Sequence, residues 1–324
     1  MAEKNYLLID KKIIEEGSSY NFSIYYSSKV SKGVECFKDK GAVVSTKDLL
    51  FVEKAKSLFV EEREHFKYKS YYKSFLMQVA KELNKQKDAK QEPSLTPKNP
   101  TKLEVMYQNF ALTLNTLFQE PLAINNYKES KKIVNTLVDG VCNEEFTLKK
   151  FMSINSNDFT TLIHSLNVTI YALSLGLYVG FSKEQLQELG EAALLHDLGK
   201  SQIDDAIINK EGVLTPQEQK IVQMHPIYGA SIGLKLGIKN KKVLQAIKYH
   251  HEKYDGSGYP QGLSKDKIPL YSRIISVCDI FDALTSKRSY TESLSTFDAL
   301  KMMKNEISHE IDLRLLGNMI KMFR

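Results

Sequence analysis

The chain has 324 residues, 42% hydrophobic and 26% charged, proportions that exclude a wholly disordered chain and suit one or two globular domains with a sizeable core. Its net charge of +6 is mild, and the lack of an Arg-rich run argues against nucleic-acid binding while leaving room for a small anionic ligand. Three cysteines, Cys36, Cys142 and Cys278, are odd in number and form no C-x-x-C pair, which argues against a disulfide framework and for a reducing, cytoplasmic setting.

Met1 to Asp10 includes Glu3 and Asp10 and lacks an apolar run with a cleavage site, so no signal peptide is predicted. Residues 5–62 read as a small mixed unit. Phe22, Ile24 and Tyr26 alternate as in a half-buried strand, Gly33 and Gly41 mark turns, and Val43-Val44 and Leu58-Phe59-Val60 suit short strands. Ser45 followed by Asp48 predicts the start of a helix carrying Leu49, Leu50 and Val52. Tyr68 to Leu83 reads as helical. From Asn84 to Thr101 the chain is polar, and Pro93, Pro97 and Pro100 interrupt regular structure. The expected organisation is a regulatory or dimerisation α/β unit at 1–83, a linker at 84–101 and a helical domain at 102–324. A homodimer is the assembly this organisation allows.

Met106, Phe110, Leu114 and Leu117 fall on one helical face, and Pro121 ends that helix. Ile133, Val134, Leu137 and Val138 repeat the pattern. Further helices are predicted around 144–153, 159–180, 184–198, 215–235, 240–250, 268–284, 295–306 and 311–323, with no strand among them. The longest apolar stretch, Thr161 to Phe181, contains His164, Ser165, Asn167 and Ser174. A bilayer would make those polar groups costly, so a buried helix is predicted and no membrane span. The fold class is mainly α.

Five of the seven histidines lie between residues 164 and 251. His196-Asp197 opens the run H-D-L-G-K, His225 precedes Pro226, and Gly258-Tyr259-Pro260 begins seven residues after the adjacent pair His250-His251. Asp279 sits among Ile274, Ile275, Val277, Ile280 and Phe281, the pattern of a buried helix. A lone buried histidine is usually a hydrogen-bonded core residue. Five of them beside a His-Asp pair and an intrahelical Asp point instead to a metal centre. Imidazole mixed with carboxylate suits iron, manganese or zinc, and an Asp next to a His can bridge two ions while its neighbour binds one. His65, in a charged run, and His309 read as exposed. Asp282, one turn from Asp279, and Glu252 read equally well as supports of the site or as surface carboxylates.

Five blocks, D-F-T-T-L-I-H-S-L-N-V at 158–168, H-D-L-G-K at 196–200, His250-His251, D-G-S-G-Y-P at 255–260 and D-I-F-D-A-L-T-S-K-R at 279–288, together resemble the HD-GYP subgroup of HD-domain phosphohydrolases over residues 102–324. The resemblance implies an α-helical HD-GYP bundle that hydrolyses cyclic di-GMP to linear pGpG, with the final product, pGpG or GMP, left open. It implies that His164, His196, Asp197 and Asp279 hold one divalent metal, and that Asp197 bridges to a second completed by His225, His250 and His251. Iron is the expected metal and manganese the alternative. Asp197 and Lys200 would serve catalysis, with the Lys200 ammonium on a nonbridging phosphate oxygen. Arg288 would offer a planar fork to guanine or phosphate, and Tyr259 would stack on the substrate or donate to it. Family members with a third metal carry Glu where this chain has Thr160, which implies two metals here. A basic residue is common where this chain has Thr291, a departure that favours a rival reading as a cyclic di-GMP receptor with slow turnover. A hydrolase of another cyclic dinucleotide is the enzyme rival.

Overall fold

The computed structural model describes residues 6–9, 11–28, 33–55, 58–64, 67, 68, 71, 102–143, 161–208, 210, 212–286 and 293–323. The chain divides into two compact units, Met1–Leu112 and Thr113–Arg324. The expected linker at 84–101 and the helix expected at 144–153 lie outside the described residues, as does most of the helix expected at 68–83.

The first unit is built on an antiparallel sheet of order β1-β4-β2-β3, with β1 at Tyr6–Ile9, β2 at Ile24–Ser28, β3 at Gly33–Lys38 and β4 at Leu58–Glu61. Ile24, Leu58 and Val60 turn into a core shared with Ile13 and Phe22, all fully buried, while Tyr26 sits at its margin. This is the period of two that strands impose on side chains. Helix α1, Thr46–Lys54, starts where Asp48 accepts from both the backbone N–H of Ser45 at 2.7 Å and its hydroxyl at 2.8 Å. Two expectations need correction. Val43 forms an isolated bridge to Ser19 and no strand of its own, because the chain turns straight into the Ser45 cap. Gly33 opens β3; a period-two pattern is hard to see in Gly-Val-Glu-Cys-Phe-Lys, where polar and apolar residues follow no clean alternation.

The described part of the second unit is helical. Helix α2, Lys102–Gln119, spans the division between the units. It is followed by α3 at Ile124–Cys142, α4 at Thr161–Tyr178, α5 at Lys183–Leu195, a 3₁₀ turn at Leu198–Gln202 and the one-turn α6 at Asp205–Ile208. Then come α7 at Pro216–Val222, α8 at His225–Lys235, α9 at Lys241–Tyr249, α10 at Leu270–Thr285, α11 at Thr296–Asn305 and α12 at Leu313–Met322. Helix α4 packs on α3, α5, α10 and α12, and α9 links α5, α8 and α10. Leu166, Leu173, Leu189, Leu194, Ile274 and Phe281 are fully buried at these contacts, each worth roughly 1.5–3 kcal/mol relative to exposure. The helix predicted over 215–235 is two helices, broken at Gln223-Met224. Pro226, in the first turn of α8, lacks an N–H and cannot continue the ladder from α7. No described helix is long and apolar enough to cross a membrane.

Candidate metal centre

The ends of the helices deliver the polar groups. His196 caps the C-terminus of α5 and is followed by Asp197. His250 caps α9 and is followed by His251, and His225 opens α8 just past the end of α7. His164 comes from the first turn of α4, and Asp279 from the middle of α10. These seven side chains, scattered over 116 positions of sequence, converge. Ligand atoms of Asp197, His225, His250 and His251 lie within 4.8 Å of one another, as do those of His164, His196 and Asp197. Asp197 belongs to both groups. Asp279 stands between them, with one oxygen 3.0 Å from His164 Nε2 and the other 3.8 Å from His251 Nδ1.

The hydrogen bonds of the imidazoles fix what they offer to the centre. Nδ1 of His196, His225 and His250 lies 2.7 Å from the carbonyl oxygens of Ala193, Val222 and Ile247. Each carbonyl is three residues back, in a helical last turn whose acceptors lack intrahelical donors. A carbonyl only accepts, so Nδ1 carries the proton and Nε2 of the neutral ring presents a lone pair. Those lone pairs face other electron-rich atoms. His225 Nε2 lies 3.2 Å from His250 Nε2 and 3.3 Å from Asp197 Oδ1, and His196 Nε2 lies 3.5 Å from Asp197 Oδ2. Among the described residues, His196 Nε2 and Asp197 Oδ1 are buried without a hydrogen-bond partner. Lone pairs turned on one another in a buried site call for a cation, and this nitrogen and carboxylate set suits a divalent metal of borderline hardness.

Electrostatics agree with that demand. Burial drives His196 and His250 below the usual imidazole range and His251 to about 3, leaving neutral ligands. Burial would also lower His164, but hydrogen bonds to Asp279 and Asp282 outweigh it and raise its pKa to about 9. A metal held by His164 and Asp279 would have to compete with a proton there. Burial works against ionising Asp197 and Asp279. It is outweighed at Asp197 chiefly by the Lys200 ammonium and the His196 and His225 rings, and at Asp279 by His164, so both stay well below the usual carboxylate range.

Lys200 reaches Asp197 Oδ2 at 2.6 Å and remains partly open to solvent. Tyr259 lies with its ring 4.9 Å from that of His251 at an interplanar angle of 30°. Two glycines let the backbones close up. A Cβ on Gly199 would sit 1.9 Å from the carbonyl oxygen of His225, and one on Gly258 would sit 2.2 Å from the amide nitrogen of Lys253. Arg288, Thr291 and Thr160 lie outside the described residues, as does His65, while His309 is exposed as expected.

Two carboxylates that the sequence left ambiguous are buried and engaged. Asp282 holds His164 Nδ1 at 2.7 Å and accepts from Asn167 at 2.8 Å and from the Ser286 hydroxyl at 3.0 Å. Glu252 accepts from the backbone N–H groups of Gln261 and Leu263 at 2.7 and 2.8 Å. The one-turn spacing from Asp279 was the available signal for Asp282. For Asn167, one turn along α4 from His164, the signal was its polarity within an apolar stretch.

Residues 143–315, more than half of the chain, match the HD domain family. A cyclic di-GMP phosphodiesterase of Pseudomonas aeruginosa is 33% identical over 177 residues, 55% of this chain and 43% of that protein. A 3'3'-cGAMP-specific phosphodiesterase of Vibrio cholerae is 34% identical over 195 residues, 58% of this chain and 37% of its own length. A cyclic di-GMP phosphodiesterase of Thermotoga maritima is 33% identical over 208 residues, 60% and 55% of the two chains. The chain thus spans less than half the length of the first two relatives. Among solved structures, an HDG"Y"P protein from Bdellovibrio bacteriovorus superposes with a TM-score of 0.65 over 98% of this chain and 99% of that one, at 17% identity, a likeness of fold.

Proposed function

The chain belongs to the HD domain family, and from that premise we propose that it is of the HD-GYP branch and hydrolyses a 3′–5′ phosphodiester of cyclic di-GMP, giving linear pGpG or, by a second cleavage, GMP. The observation that carries this reading is the double set of inward lone pairs sharing Asp197. His164, His196, Asp197 and Asp279 would hold one divalent ion, and Asp197 with His225, His250 and His251 the other. Iron is the first choice and manganese the second. When bound, such a pair supplies Lewis acidity for the attacking water and for the departing oxygen of an in-line displacement.

The chain's own residues do the rest. The carboxylates of Asp197 and Asp279, kept ionised in a buried site, neutralise cationic charge on the protein side. Lys200, partly exposed at the edge of the centre, sets a point charge where a nonbridging phosphate oxygen would lie. Tyr259 walls the His251 side. Water adds to phosphorus, the bond to the 3′ oxygen breaks, and that oxygen leaves with a proton. Three free thiols, Cys36, Cys142 and Cys278, accord with a reducing, cytoplasmic setting.

A second reading has its own observation: relatives of equal identity are named for 3'3'-cGAMP. The test is turnover by anaerobically purified protein loaded with Fe²⁺ or Mn²⁺, offered cyclic di-GMP and 3'3'-cGAMP separately, with products resolved by chromatography. Appearance of pGpG with cyclic di-GMP preferred supports the reading. Preference for 3'3'-cGAMP selects the second, and tight binding of cyclic di-GMP without turnover by the metal-loaded protein makes the chain a receptor.

A further inference from the structure

We infer that Glu252 is a positioning residue, which sets the Tyr259 loop against the metal centre by clamping the loop's returning segment at 261–263. The inference rests on the proposed phosphodiesterase reading only for its kinetic arm. Glu252 directly follows His251, yet it belongs to neither group of ligand atoms and is 2% exposed. Both carboxylate oxygens are used, one accepting from Gln261 N–H at 2.7 Å and the other from Leu263 N–H at 2.8 Å. A buried carboxylate that accepts two backbone N–H groups makes strong, charge-assisted bonds, and losing it would leave two partly buried donors without their acceptor.

The same loop is fastened on its other side without any side chain. Gly258 lies so close to the 251–253 backbone that a Cβ would meet Lys253 N at 2.2 Å and His251 O at 2.5 Å. Tyr259 N–H donates to the His251 carbonyl at 3.2 Å. Tyr259 is thus held before, at and after its own position, and each fastening leads to the backbone of 251–253. The result is a tyrosine ring set at 30° to the His251 imidazole. Both Glu252 oxygens are thus taken up by the loop. Glu252 acts through Tyr259, and the acceptor count at one side chain decides the placement of the ring.

Glu252→Gln tests this, because the amide keeps the size but leaves one acceptor oxygen for two donors. In the full-length protein, thermal midpoint and metal content should stay near wild type, while the ring-proton contacts between Tyr259 and His251, read by NMR in the metal-free state, should be lost. With cyclic di-GMP as probe, kcat/KM should fall about tenfold, mostly through KM, in keeping with the roughly ten- to hundredfold effects of residues that orient others. In a Tyr259→Ala background the same change should add less than about twofold, since residues acting through one another are not additive. Glu252→Asp, which retains two acceptor oxygens, should fall between wild type and Glu252→Gln. Persistence of the ring contacts in Glu252→Gln, or losses from Glu252→Gln and Tyr259→Ala that multiply, would overturn the inference. Wild-type protein that hydrolyses no cyclic dinucleotide would defeat the functional reading alone, leaving the ring contacts to decide this one.

Discussion

At the scale of single residues, the centre is defined by which atom of each side chain is already taken. Three imidazoles give their Nδ1 protons to helix-end carbonyls and a fourth gives its own to Asp282, so the inward nitrogens are set before any ligand arrives. Asp197 is the one carboxylate common to both ligand groups among the described residues. Asp197→Ala should release bound metal, measured by elemental analysis, and lower turnover at least about a hundredfold, because changes one layer further out already cost roughly ten- to a hundredfold. Gly199 makes a second residue-scale test. Its hypothetical Cβ overlaps the His225 carbonyl and, at 2.5 Å, the Gly229 nitrogen, and backbone atoms have no rotamer in which to escape. Gly199→Ala should lower stability by roughly 1–3 kcal/mol in thermal denaturation and reduce metal content by moving His225. Gly317→Ala is the control: nothing lies within 4 Å of that position on α12, so it should be neutral or slightly stabilising.

Elements matter here chiefly through their ends. Helix α5 begins at Ser182, which trades hydrogen bonds with Gln185 at 2.9 and 3.3 Å, and it ends at His196; its two caps set the length that brings His196 to the centre. In the first unit, α1 and β3 are tied by Lys38 and Asp48 at 2.6 Å. The Lys38 ammonium, then the Ser45 N–H, hold the Asp48 carboxyl down at about 2 against an ordinary 3.8. A depressed carboxylate stabilises the fold fully above its ordinary pKa and loses that contribution as pH falls through the folded value. The window is therefore between about pH 4 and pH 2. Carbon-13 titration of the Asp48 carboxyl should give a midpoint near 2, and Lys38→Met should move the midpoint up toward the ordinary value.

For the whole molecule, the described ligand side chains all come from the second unit, and the first contributes a separate core of Ile13, Phe22, Ile24, Leu58 and Val60. A unit with its own core can fold alone. A fragment of residues 100–324, which keeps α2 whole, should remain helical by circular dichroism, bind close to two metal ions per chain by elemental analysis, and hydrolyse cyclic di-GMP within a few-fold of the full chain. A metal count near three would contradict the expectation drawn from Thr160. A soluble, metal-loaded fragment without turnover, beside an active full chain, would make the first unit part of the chemistry.

The sequence by itself determined the mainly helical class, the buried helix at Thr161–Tyr178, the cap at Ser45 and the identity of the groups that gather at the centre. Those features rest on local rules: periodicity, capping chemistry and the rarity of histidine beside aspartate in an apolar setting. The tertiary structure decided the rest. Pro226 divides one predicted helix into α7 and α8, and only that break turns His225 toward Asp197 at 3.3 Å. Asp282 and Glu252 were indistinguishable from surface carboxylates until burial and their partners were known, since Asn167, Ser286, Gln261 and Leu263 become neighbours through packing. Gly199 and Gly258 likewise look like ordinary turn residues in sequence, and their necessity comes from the backbone of another segment lying where a Cβ would be. A linear pattern records which chemical groups a chain carries; which of their lone pairs meet is set by how its helices close on one another.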